Sequence, residues 1–193
     1  MGKYGLLFVD GHTDLFTPEN SQTAGAAGMD LALVTGDGPE LLTNLDAKRP
    51  YIRAADTFVF GYRWPAANEN VSATPANPMG ALPLERIREQ GLTNAARFAV
   101  NHLEKPPTDG FWLHVDVDVL SPEWMPAVDS PDPGGTSPGE FVATLQTALA
   151  SERLIGMELA IYDPSLDPGQ RGAELIVDML ALAFAGPTRT EIP

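Results

Sequence analysis

The chain has 193 residues, 44% of them hydrophobic, a formal net charge of −14 and no cysteine. That length suits a single core, the charge argues against a nucleic-acid or anionic-membrane surface, and the lack of thiols excludes disulfides and thiolate metal sites. No stretch approaches the ~20 apolar residues of a membrane span, and Met1-Gly2-Lys3-Tyr4 runs straight into a strand-like segment without a signal-like one, so a cytoplasmic protein is expected.

Residues 4–9 are apolar almost without alternation, the pattern of a parallel strand buried on both faces. They lead into Asp10-Gly11-His12-Thr13-Asp14 and then a polar loop to residue 24. Nothing precedes this strand to cover it, so later helices, a homo-oligomer or a partner chain is expected to do so. Ala24–Val34, small and apolar, reads as a weak helix in close packing, and Gly38-Pro39 opens a short helix through Leu45. Thr57–Tyr62 is a second strand. The segment 64–83, rich in Pro, Asn and Ala, reads as a long irregular loop.

Leu84–Gln90 and Asn94–Leu103 have helical spacing, the second with Ala95, Phe98, Ala99 and His102 on one face. A third strand, 111–117, delivers His114, Asp116 and Asp118, and a loop rich in Pro, Gly and Asp follows from 122 to 138. Ser137-Pro138-Gly139-Glu140 is a helix start with a serine cap, proline at the first position and glutamate completing a capping box. That helix should run to about Ser151 and bury Phe141, Leu145 and Leu149. Leu154–Ile161 is a fourth strand, Tyr162–Pro168 a loop, Ala173–Phe184 a last apolar helix, and 187–193 a tail. The alternation predicts one domain over residues 1–186: α/β, three layers, a mainly parallel sheet between helices. In such sheets ligands gather beyond the carboxyl ends of strands, where both acidic clusters fall.

Asp116 and Asp118, at alternate positions, share one side of an extended chain, and together with Asp10, Asp14 and His12 they offer four carboxylates and one imidazole. Such acids do not persist in a dry core without a cation, a shared proton or dense donors. One His among several Asp, with no Cys, favours manganese or a similar borderline-hard ion. The alternative is that these acids cap turns and accept from neighbouring backbone N–H groups. His114 could orient a ligand or be a satisfied core histidine. Glu158, inside an apolar strand, calls for a partner such as Arg63 or Arg171, and Asp129 and Asp132 are further acids near the site. Tyr162 and Asp163, just past the fourth strand, are candidates for substrate contact alongside Glu158. No glycine-rich phosphate loop or nucleophile elbow is present.

The two clusters resemble the metal motifs of the ureohydrolase superfamily, that of arginase, agmatinase and formimidoylglutamase. Asp10-Gly11-His12-Thr13-Asp14 is similar to its Asp-Ala-His-x-Asp motif, and Asp116-Val117-Asp118 with Leu120-Ser121-Pro122 is similar to its Asp-x-Asp-x-x-Asp-Pro motif. The resemblance implies an arginase-like fold and two Mn²⁺ ions that activate a hydroxide against a small-molecule substrate with a linear non-peptide C–N bond, guanidino, amidino or formimino. It implies that Asp10 and Asp116 bridge the ions, that His12 and Asp118 complete one, and that Asp14 binds the other and takes a proton, with His12 and Asp14 at the reacting centre.

The likeness covers the carboxyl-terminal two-thirds of such a protein. The family's earlier Gly-Gly-Asp-His motif has no counterpart before residue 4, so one metal position is expected to be short of a ligand. On the substrate side, Ala27 stands where a histidine is usual, Ser121 where an aspartate is, and Ile161 where a glutamate holds the guanidinium. A non-catalytic metal-binding or structural remnant is therefore the alternative to an enzyme.

Overall fold

The computed structural model describes residues 3–21, 24–63, 78–105 and 107–186. Five strands, β1 (Tyr4–Val9), β2 (Thr57–Phe60), β3 (Gly80–Leu82), β4 (Gly110–Asp116) and β5 (Leu154–Ala160), form one sheet in the order β3-β2-β1-β4-β5. Every pairing is parallel. The chain builds outward from β1 to β3, then returns to lay β4 on the other side of β1. That reversal opens a crevice beyond the carboxyl ends of β1 and β4.

The helices are α1 (Asp30–Thr35), α2 (Glu40–Thr43), α3 (Leu84–Gln90), α4 (Leu92–Leu103), α5 (Pro138–Leu149) and α6 (Arg171–Ala185). Helices α3 to α6 cover one face of the sheet, around Leu7, Val9, Phe58, Phe60, Phe111, Leu113 and Val115. Leu6, Phe8 and Val59 project to the other face, where Leu31 of α1 and the chain beside it form a smaller cluster. The result is the expected three-layer α/β/α arrangement, with one thick helical layer and one thin one. No helix among the described residues is long and apolar enough to cross a membrane.

Several expectations shift. β1 is the central strand, buried by later elements from Gly5 to Val9, so among the described residues the sheet's edges are β3 and β5 and not the amino-terminal strand. β3 falls inside the segment read as loop; of that segment, 64–77 lie outside the described residues. Three residues between prolines are too few for a period to show, and Gly80 is what lets the Phe58 ring lie against the strand, since a Cβ there would collide with it. The predicted helix at Ala24–Val34 resolves into a 3-10 turn, Ala27–Met29, and then α1. On α4, Phe98 is 57% exposed while Ala95, Ala96 and Ala99 are buried; the small residues let the helix approach the sheet.

The capping box at α5 forms as read: Ser137 Oγ accepts from Glu140 N at 3.3 Å and Glu140 Oε2 from Ser137 N at 2.8 Å. α6 starts two residues before its predicted Ala173 because the Asp167 carboxylate accepts from the N–H groups of Arg171, Gly172 and Ala173 at 3.0, 2.8 and 3.1 Å. β5 stops at Ala160, one residue short of the predicted end, where Ile161 takes a left-handed φ of 72°. The tail, 187–193, lies outside the described residues.

Candidate metal centre

Beyond the ends of β1 and β4 the two acidic loops face each other. Asp10 is fully buried, and its N–H donates to Phe60 O at 3.1 Å, which ties the loop to β2. Asp10 Oδ1 accepts from His12 N at 2.6 Å, Asp116 Oδ1 from Asp118 N at 2.7 Å, and Asp118 Oδ1 from Gly11 N at 3.1 Å. Turn capping is therefore real at Asp10 and Asp116, a bond across the two loops holds Asp118, and one oxygen of each acid is so occupied. Asp116 and Asp118 do not share a side by strand pleat, as expected from their spacing. The chain leaves β4 at Asp116 and turns through a 3-10 segment, Val117–Val119, and that turn brings the two acids together.

The remaining atoms converge. Asp118 Oδ2 lies 2.9 Å from His12 Nδ1, and Asp132 Oδ2 lies 3.4 Å from His12 Nε2. Arg63 donates to Asp118 O at 2.7 Å and Leu120 O at 3.1 Å, bracing the second loop from behind. Gly11 makes room for it, because a Cβ there would collide with the guanidinium and come within 2.9 Å of Asp118 O. Asp10 Oδ2 is buried without a hydrogen-bond partner.

Among the described residues two groups have ligand atoms within 4.8 Å of one another: Asp10, His12 and Asp118, and Asp10, His114 and Asp116. Asp10 belongs to both. Asp14 joins neither group, although its charge and that of Asp10 act on each other; it sits at a φ of 45°, a left-handed conformation that suits a short acid in a turn. Asp30, the first residue of α1, stands in no motif of the sequence. Its Oδ1 is buried and unpartnered, and its charge is felt by Asp14. No sequence spacing links it to the motifs; only the packing of α1 on the sheet brings it there.

Burial and mutual repulsion hold protons on this cluster. Asp10 is pushed well above the carboxylate range by burial and by the charges of Asp14, Asp118 and Asp116. Burial and then Asp118 raise Asp116 to about 9, and burial and then Asp30 raise Asp14 to about 8. At His12 burial opposes the charged ring, yet the hydrogen bond and charge of Asp118, with Asp14, outweigh it and hold the imidazole at about 9. A divalent cation reverses this logic, since it favours the ionised acids. Carboxylates and imidazoles are the donors such an ion takes, and Asp10, whose Oδ2 is orphaned, is the residue both groups share.

The expected substrate-side residues have other contacts. Glu158 is half-exposed, and its Oε1 lies 2.9 Å from His114 Nδ1, so its partner is neither Arg63 nor Arg171. Tyr162 OH donates to Asp167 Oδ2 at 2.9 Å, and Asp163 Oδ1 accepts from Ser165 N at 2.8 Å, capping a 3-10 turn. Asp129 is exposed. Ala27 is exposed on its 3-10 turn, and Ile161 packs its side chain toward the larger core cluster.

A family model described as the arginase family matches residues 1–185. An arginase from Brevibacillus brevis is 29% identical over 180 residues, which make up 93% of this chain and 60% of that protein. The crystal structure of arginase from Bacillus cereus superposes with a TM-score of 0.86 at 26% identity, over 97% of this chain and 64% of that one. Formimidoylglutamase from Bacillus subtilis shares the fold, with a TM-score of 0.75 at 20% identity over 96% of this chain and 55% of that one. The chain thus spans about 60% of the length of the curated relatives it matches.

Proposed function

This chain belongs to the arginase family, and from that premise we propose that its Asp/His cluster binds divalent metal, manganese in the first instance, and hydrolyses a linear non-peptide C–N bond of a guanidino, amidino or formimino compound. The observation that carries the proposal is the buried, unpartnered Oδ2 of Asp10, the residue that two Asp/His groups have in common. Turn capping alone leaves no reason to bury that oxygen dry, at a cost of ~1–3 kcal/mol.

Asp10, His12 and Asp118 would hold one ion, with Asp10, Asp116 and Asp14 toward the other. Bound there, the ions supply a positive field that acidifies water and polarises the C–N carbon. The chain's own residues do the rest. Asp118 N pins one oxygen of Asp116 and leaves the other to ligate, while Gly11 N pins one oxygen of Asp118 and sets the other beside His12 Nδ1, where the two would meet the same ion. Asp132 reaches His12 Nε2 and fixes the ring in the mouth of the site. Asp14, ionised once the cation is bound, would take the proton released at the reacting centre. Glu158, Tyr162 and Asp163 border the carboxyl end of β5, where a small substrate would enter. A further chain, in this reading, joins at the open β5 edge, and the setting is cytoplasmic.

Ile161 and Ala27 favour a second reading, a metal-binding remnant without turnover. An apolar side chain offers a guanidinium no charge-assisted contact. Metal analysis after manganese supplementation, with urea and ammonia release from guanidino, amidino and formimino compounds, decides between them. Bound manganese that is lost in Asp116→Ala, together with product release, sustains the enzyme. Metal without turnover on any of them leaves the remnant, and absence of metal removes both.

A further inference from the structure

One histidine outside the acidic motifs is built into the sheet more firmly than a core requires. His114 of β4 is in register with Phe8 of β1 on one side and with Glu158 of β5 on the other. The Phe8 ring stacks on the imidazole at 4.4 Å with 7° between planes, and Glu158 Oε1 lies 2.9 Å from Nδ1. The ring is thereby fixed in plane and held by one nitrogen. His114 is only 8% exposed, and its Nε2 is buried with no hydrogen-bond partner.

Carboxylate oxygens of Asp10 and Asp116 lie within 4.8 Å of a ring nitrogen of His114. Since Nδ1 is engaged by Glu158, Nε2 is the nitrogen left for that group. Asp10, wholly buried, contributes a second unpartnered atom, Oδ2, to the same cluster. An imidazole nitrogen and a carboxylate oxygen that lie close without bonding each other are satisfied together by one ion. A neutral ring that donates Nδ1–H to a carboxylate presents an Nε2 lone pair, the arrangement by which metal-ligating histidines are oriented.

Resting on the reading that the cluster binds metal, we propose that His114 Nε2 is a ligand to a second divalent ion shared with Asp10 and Asp116, and that Glu158 is the positioning residue that sets its tautomer. The second ion then draws its imidazole from within the sheet and needs none from a further segment. Glu158 acts through His114, not on substrate.

The test is manganese titration of the whole chain, wild type, His114→Asn and Glu158→Gln, with circular dichroism to check folding and pulsed electron paramagnetic resonance to count coupled imidazole nitrogens. Wild type should take up two ions and show two imidazoles. His114→Asn should keep one ion and one imidazole, and Glu158→Gln should weaken the second ion about 10- to 100-fold while leaving the first unchanged. Two ions in His114→Asn with wild-type affinities would overturn the inference and leave the proposed function standing. No manganese in wild type would overturn both. Should His114→Asn not fold, Glu158→Gln decides, because its half-exposed side chain is not part of the core; unchanged affinity for both ions there overturns the inference.

Discussion

The two Asp/His groups share Asp10 and are built in different ways. The group with His12 and Asp118 is made by loops: a backbone N–H group closes each acidic turn on its own aspartate, and the N–H of Gly11 reaches across from one turn to the other. The group with His114 and Asp116 is made by the sheet, with Phe8, His114 and Glu158 aligned across three neighbouring strands. The first kind depends on neighbours in sequence and is written as a local motif. The second depends on strand register, so it is rigid but has no compact signature.

The strongest way to break this comparison is at the residue both groups use. Asp10→Asn should reduce manganese to below one ion per chain by elemental analysis, and in chelator it should raise the melting temperature, because a buried acid crowded by three others is neutralised. Retention of two ions would show that the groups are independent.

A pH series comes next. Asp14, Asp116 and Asp30 are raised to about 8, 9 and 6, and His12 to about 9, so all four bind protons more tightly in the folded state than in the unfolded chain. Their contribution to stability is fully present below the unfolded values, near 4 for the acids and 6.5 for His12, and is lost as pH climbs through the folded ones. The metal-free chain should therefore melt at lower temperature at pH 9 than at pH 5, and manganese should reverse that fall. A metal-free melting temperature that rises over this range would contradict the crowding described for the site.

Gly11→Ala separates the two constructions. A Cβ pressing on Arg63 and Asp118 O should cost about 1–3 kcal/mol in denaturant unfolding and should weaken the ion at His12 more than the ion at His114. Equal weakening would mean the loops and the sheet move as one body. The smallest effect is expected at Ser137→Ala, which removes the α5 cap at a cost of ~1 kcal/mol and should leave both ions bound at wild-type affinity.

Legibility in the sequence followed the same division. Asp10 to Asp14 and Asp116 to Asp118 were readable because acids crowd the end of an apolar run, and the Ser137/Glu140 box because a cap is a matter of three residues. Three of the five strands ended within a residue of their predicted bounds, at Val9, Asp116 and Ala160, since unbroken apolar runs mark buried parallel strands. β3 was not readable, because Gly80-Ala81-Leu82 carries no period. Nor was the pairing of His114 with Glu158, 44 residues apart, which exists only once β4 and β5 adopt their register. Asp30 was hidden for a similar reason, since α1 must dock before its carboxylate meets the site.

The open edge at β5 has a colloidal consequence. Ile155 is 51% exposed on a parallel strand that pairs, among the described residues, on one side only. Such an edge is a template for another copy, and a formal charge of −14 on every copy opposes the encounter. Salt removes that opposition, as the screening length shrinks from ~10 Å at 0.1 M to ~3 Å at 1 M. Light scattering should therefore register larger particles as salt is added, at concentrations where the low-salt protein stays dispersed.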